Sequence, residues 1–124
     1  MLEPVSVALQ FGFLAVLYLF LLWISRSGRR GRALLVAEGK RYAVGPGGAT
    51  IGRSRECDIV LADTNVSRRH AELRPLGDGW TITDLGSTNG VRVNGRDVRA
   101  NEPHGLNAGD QVEVGTVDAR FEVQ

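Results

Sequence analysis

The chain is poor in cysteine, lysine and histidine, and each shortage removes a class of function. Cys57 is the only cysteine, so no intrachain disulfide can form. One thiol and two histidines make no metal-ligand cluster, and neither a metal nor a cofactor is expected. Cys57 stands just before Asp58-Ile59-Val60-Leu61 and reads as a packed thiol, with a redox sensor as the alternative. Lys40 is the sole lysine among 15 cationic residues, a bias that hints at a GC-rich genome and nothing more. An excess of charge is missing as well, the formal net charge being +1. The basic residues gather at Arg26, Arg29, Arg30 and Arg32, and the remainder downstream is slightly acidic. A general nucleic-acid binder needs a basic excess over its domain, so no nucleic-acid partner is expected.

Beyond Arg32 no sustained helical period exists; short β-type runs parted by turn signals take its place. The runs are 33–37, 41–44, 49–51, 58–61, 71–74, 80–85, 91–93, 96–98, 111–114 and 119–123. Gly77-Asp78-Gly79 and Asn94-Gly95 are hairpin signals. This pattern predicts an all-β sandwich over residues 33–124, with Ile51, Ile59, Leu73, Trp80, Ile82 and Phe121 in its core. His104, between Pro103 and Gly105, is expected in a solvent-facing loop with no role.

Residues 5–24 are almost wholly apolar, interrupted by Ser6, Gln10 and Gly12. That is the length of about 20 residues a helix needs to cross a bilayer. The arginines that follow belong on the cytoplasmic side. The expected layout is therefore a short extracytoplasmic segment 1–4, a transmembrane α-helix 5–24, a basic juxtamembrane linker 25–32 and a cytoplasmic domain. A cleaved signal peptide wants a positive start, a shorter apolar core and a small-residue cleavage site, whereas this segment begins with Glu3 and ends in arginines. Ala8 and Gly12 form a small-xxx-small pair that permits weak homodimerisation, with a monomeric anchor as the alternative. The linker arginines serve as a topology signal, or also as contacts to anionic lipid heads.

Three loop sequences carry the chemistry: Gly52-Arg53, Ser67-Arg68-Arg69-His70 and Ser87-Thr88-Asn89-Gly90. Each alone has an ordinary reading, as a strand end, a loop hydrogen bond or a tight turn. Ser67 with His70 could also be a nucleophile with its base. No Gly-x-Ser-x-Gly motif surrounds Ser67, however, and nothing supplies an oxyanion stabiliser, so no enzyme is expected. Taken together the loops offer guanidinium, hydroxyl and amide donors, the groups a phosphate dianion needs.

The three motifs, with Val93-Asn94-Gly95 and the run Leu106-x-x-Gly109-Asp110-x-Val112-x-Val114-Gly115, resemble the forkhead-associated (FHA) domain. The resemblance covers roughly residues 33–124 and implies an FHA-type β-sandwich of two twisted sheets that binds phosphothreonine peptides. It implies that Arg53, Ser67, Arg68 and Thr88 touch phosphate, that Asn89 holds the peptide backbone, and that Asn65 belongs to a loop that influences flanking-residue preference. Gly52, His70 and Gly90 would support the site, and the ligand's γ-methyl would fill a small pocket. Val91 departs from the threonine many relatives carry, without expected effect on binding. With its apolar segment the chain is similar to small membrane-anchored FHA proteins of actinobacteria, where Ser/Thr kinases regulate growth, division and cell-wall assembly. The implied function is an adaptor that recruits Ser/Thr kinases or their substrates to the membrane. A phosphorylation-independent assembly module of the same fold is the alternative. Thr64 or Thr88 could itself be phosphorylated, but no kinase motif decides this.

Overall fold

The structure, a computed structural model, describes residues 4–27 and 32–124. Residues 1–3 of the expected outer segment and 28–31 of the expected linker, with Arg29 and Arg30, lie outside the described residues. The chain divides into two units, a helix and a β-domain, each considered by itself.

Helix α1 runs Pro4–Ser27, past the expected end at residue 24. Proline suits a first helical turn, where its missing N–H would have no partner anyway. Leu9, Phe11, Phe13, Tyr18 and Trp23 all stand exposed on it, so its apolar surface has no single buried face. Among the described residues it is the one helix long and apolar enough to cross a membrane, over Ser6–Ile24.

The β-domain is a sandwich of eleven strands: β1 Ala33–Ala37, β2 Lys40–Val44, β3 Ala49–Gly52, β4 Ile59–Val60, β5 Ala71–Leu76, β6 Gly79–Asp84, β7 Val91–Val93, β8 Arg96–Asp97, β9 His104–Leu106, β10 Gln111–Val114 and β11 Val117–Val123. One sheet has the order β2-β1-β11-β10-β7-β8 and the other β4-β3-β5-β6-β9. Strand periodicity explains the core: along β11, Val117, Ala119 and Phe121 are buried while Asp118 and Arg120 face out. Every core residue expected from the sequence is buried, and the Trp80 and Phe121 rings meet with centroids 6.3 Å apart. Val91 also lies inside, as a strand residue should. The loops β3–β4, β4–β5 and β6–β7 carry the three donor motifs.

One local expectation fails. His104 is exposed as expected, but it opens strand β9 and does not lie in a loop. Its run is short and flanked by proline, so local propensity gives no strand signal. Pairing with β6 creates it, through Ile82 opposite His104 and Trp80 opposite Leu106.

Away from these loops, Asn94 explains another motif. Its amide nitrogen donates to Asp110 Oδ1 at 3.0 Å and its oxygen accepts the Gln111 N–H at 2.9 Å. Asp110 Oδ2 accepts the Asn107 N–H at 2.8 Å. The β7–β8 turn is thereby tied to the segment entering β10.

Candidate functional site

Backbone pairing sets the site before any side chain does. The Arg53 N–H donates to the Ser67 carbonyl at 3.0 Å and the Ser54 N–H to the Arg68 carbonyl at 3.2 Å. The chain after β3 thus lies against residues 67–68. Gly52 makes that approach feasible: a Cβ there would overlap the Arg68 carbonyl and lie 2.9 Å from Cys57 Sγ. Cys57 is buried and its thiol donates to that same carbonyl at 3.2 Å, as a packed thiol would.

His70 joins the two remaining loops. Its ring is fully buried, accepts the Ser67 N–H at Nδ1 (3.0 Å) and donates from Nε2 to the Gly90 carbonyl (2.7 Å). A carbonyl only accepts, so Nε2 carries the proton, Nδ1 is bare, and one neutral tautomer satisfies both bonds. Both ring nitrogens are engaged, and the ring meets the Ser67 backbone and not its hydroxyl. A serine–histidine nucleophile pair is therefore missing from this geometry. Asp84, buried at the end of β6, accepts the Ser87 N–H at 2.9 Å, and Ser87 Oγ accepts the Gly90 N–H at 3.0 Å, which shapes the third loop.

On this frame the exposed groups converge. Arg53, Thr64, Asn65, Val66, Ser67, Arg68, Thr88 and Asn89 line one open groove of about 340 Å³. All four residues expected to meet phosphate, together with Asn65 and Asn89, are brought to it. Gly52, His70 and Gly90 contribute to the frame through the contacts just described. Ser67 Oγ accepts the Thr88 N–H at 3.1 Å, which leaves the hydroxyl proton free to donate outward. Arg53 and Arg68 are exposed and, among the described residues, have no carboxylate partner. By contrast Arg74 pairs with Glu72, and Arg92 with Asp97 at 3.0 Å. The Asn89 amide bridges to the Asn65 carbonyl at 2.8 Å, keeping its oxygen and a second N–H for a ligand. Asn65 is less free than its expected specificity role suggests, because its own amide donates to Thr116 Oγ1 at 3.3 Å.

Two lining residues carry no motif signal as parts of the groove. Val66 is almost wholly buried and borders the groove from the core side. Thr64 stands exposed at its rim. Among the described residues no group of three or more His, Cys, Asp or Glu could hold a metal ion. The arrangement is suited to holding a dianion by charge-assisted hydrogen bonds.

Comparison with known proteins agrees. The FHA domain family model matches residues 49–115. The oxoglutarate dehydrogenase inhibitor of Corynebacterium diphtheriae is 43% identical over 77 residues, 62% of this chain and 52% of that protein. The structure of Mycobacterium tuberculosis EmbR in complex with a low-affinity phosphopeptide superposes with a TM-score of 0.70 at 33% identity, over 76% of this chain and 25% of that one. A solved domain from work on phosphothreonine-dependent FHA domain interactions matches with a TM-score of 0.69 at 32% identity, over 75% of this chain and 97% of that one. The chain thus spans about half the length of the first relative and a quarter of the second. The named relatives are an inhibitor and a regulator from actinobacteria, and FHA domains are binding modules, not enzymes. From the matched model and the superposed sandwich together, the chain belongs to the FHA domain family.

Proposed function

We propose that this chain is a membrane-anchored adaptor that binds phosphothreonine peptides and brings Ser/Thr kinases or their substrates to the cytoplasmic face of the membrane. The observation that carries the reading is the set of uncommitted donors on two braced loops: the Arg53 and Arg68 guanidiniums and the Ser67 proton in one groove. A phosphothreonine brings about −1.5 to −2 charge and three acceptor oxygens to them. Arg53 is the principal partner, forking onto two oxygens as no lysine could. Ser67 and Thr88 donate hydroxyl protons, Arg68 adds charge, and Asn89 faces the peptide backbone. The apolar helix over Ser6–Ile24 supports the anchor, and the arginines after it support a cytoplasmic domain. The chain itself is not an enzyme in this reading.

The test uses the full chain in lipid nanodiscs and a degenerate peptide library carrying threonine, phosphothreonine or phosphoserine, read by fluorescence anisotropy. Binding to the phosphothreonine form alone is expected. Equal binding to all three forms, or none, would move the function to another surface and favour the phosphorylation-independent assembly module.

A further inference from the structure

The turn that forms the groove rim is fixed at every residue but one. Its closing bond runs from the Val66 N–H to the Asp63 carbonyl at 3.0 Å. Asp63 Oδ1 accepts the Asn65 N–H at 2.8 Å and the Thr116 hydroxyl at 3.4 Å. Asn65 is held by Thr116 and Asn89, and Val66 is buried. From the opposite sheet Gly115 presses so close that a Cβ there would overlap the Asn65 carbonyl. Thr64 sits between these fixed neighbours. It is exposed, and its side chain makes no hydrogen bond among the described residues. It nevertheless lines the same groove as Arg53, Arg68, Ser67 and Thr88.

We propose that Thr64 is a phosphorylation site whose modification closes the phosphopeptide groove. The proposal rests on the phosphopeptide reading above for the ligand it excludes. A Ser/Thr kinase transfers the γ-phosphoryl group of a nucleoside triphosphate to Thr64. A P–O bond forms at Oγ1, the bond from the γ-phosphorus to its bridging oxygen breaks, and the nucleoside diphosphate leaves. The hydroxyl proton passes to the kinase's base. Hydrolysis by a phosphatase restores the hydroxyl.

The frame survives because none of its bonds uses that hydroxyl. The groove does not, because a dianion of about −1.5 to −2 now stands beside the arginines a ligand needs. It also repels an incoming phosphate.

Three readouts on the full chain in nanodiscs test this. Phosphothreonine introduced at position 64 by genetic encoding should weaken binding of a phosphothreonine peptide from the library by about tenfold or more relative to the unmodified chain. Unchanged affinity of the modified chain overturns the proposal. Phosphorus NMR needs no peptide and so separates this idea from the parent reading. The second ionisation of the Thr64 phosphate should fall at lower pH in the wild-type background than in Arg53→Ala. The same titration in both, matching a free peptide, overturns it. Peptide mapping of the chain co-expressed with a Ser/Thr kinase catalytic domain should find phosphate on Thr64; phosphate found only elsewhere, or none, overturns it.

Discussion

Asn89 and Asn94 both sit in tight turns before a glycine, yet the structure treats them differently. Asn94 engages both ends of its amide, with Asp110 and with the Gln111 backbone. Asn89 engages one N–H, with the Asn65 carbonyl, and its oxygen meets no donor among the described residues. The same contrast divides the other motif residues. His70 has both nitrogens engaged, whereas Ser67 accepts a bond at its oxygen and keeps its proton. The guanidiniums of Arg92 and Arg74 face carboxylates, whereas those of Arg53 and Arg68 meet none among the described residues. Residual hydrogen-bonding capacity therefore separates the residues that hold the fold from those assigned to a ligand in the proposed function. A family motif mixes both kinds, and the structure sorts them.

The comparison is broken most directly at Arg53. Its backbone N–H anchors the loop and survives truncation, so Arg53→Ala removes only groups that face outward. Each charge-assisted bond to phosphate is worth about 1.5–3 kcal/mol and the proposed role gives Arg53 more than one, so affinity should fall on the order of 100-fold or further. The thermal midpoint should move by no more than a degree or two. A folded Arg53→Ala chain that binds phosphopeptide as well as wild type would refute the assignment.

His70→Ala should do the reverse. It leaves the Ser67 N–H and the Gly90 carbonyl without their partner, at about 1–3 kcal/mol each, and opens a cavity in the core. A loss near 3 kcal/mol lowers the melting temperature of a domain this size by roughly 12 °C or more. Calorimetry decides: an unchanged midpoint with lost binding would make His70 a ligand contact instead of a brace.

Much of this division was legible in the sequence because each donor motif lies within a few residues and between strongly alternating strands. The core was legible for the same reason: Leu73, Ile82 and Phe121 sit at inward positions of period-2 runs. What escaped was non-local. Strand β9 exists by pairing with β6. Thr116 steadies Asn65 from 51 positions away, a partnership no local pattern announces. Val66 reads as an ordinary core valine, and only the packed loops reveal that it also forms part of a groove wall.

The sharpest form of the comparison exchanges the two asparagines. Asn94→Ala removes two exposed hydrogen bonds of the frame, each worth about 0.5–1.5 kcal/mol, and should lower the melting temperature by several degrees. Phosphopeptide affinity should stay within about twofold, since the β7–β8 turn contributes nothing to the groove lining. Asn89→Ala removes one exposed internal bond and the free amide oxygen. Its midpoint should shift less than that of Asn94→Ala, while affinity falls about tenfold through the lost peptide contact. Melting curves and anisotropy on the two variants form a crossed pair. Residual capacity has the meaning given to it only if the two losses fall on opposite readouts. Equal losses on both would reduce the distinction to general destabilisation of the loop ends.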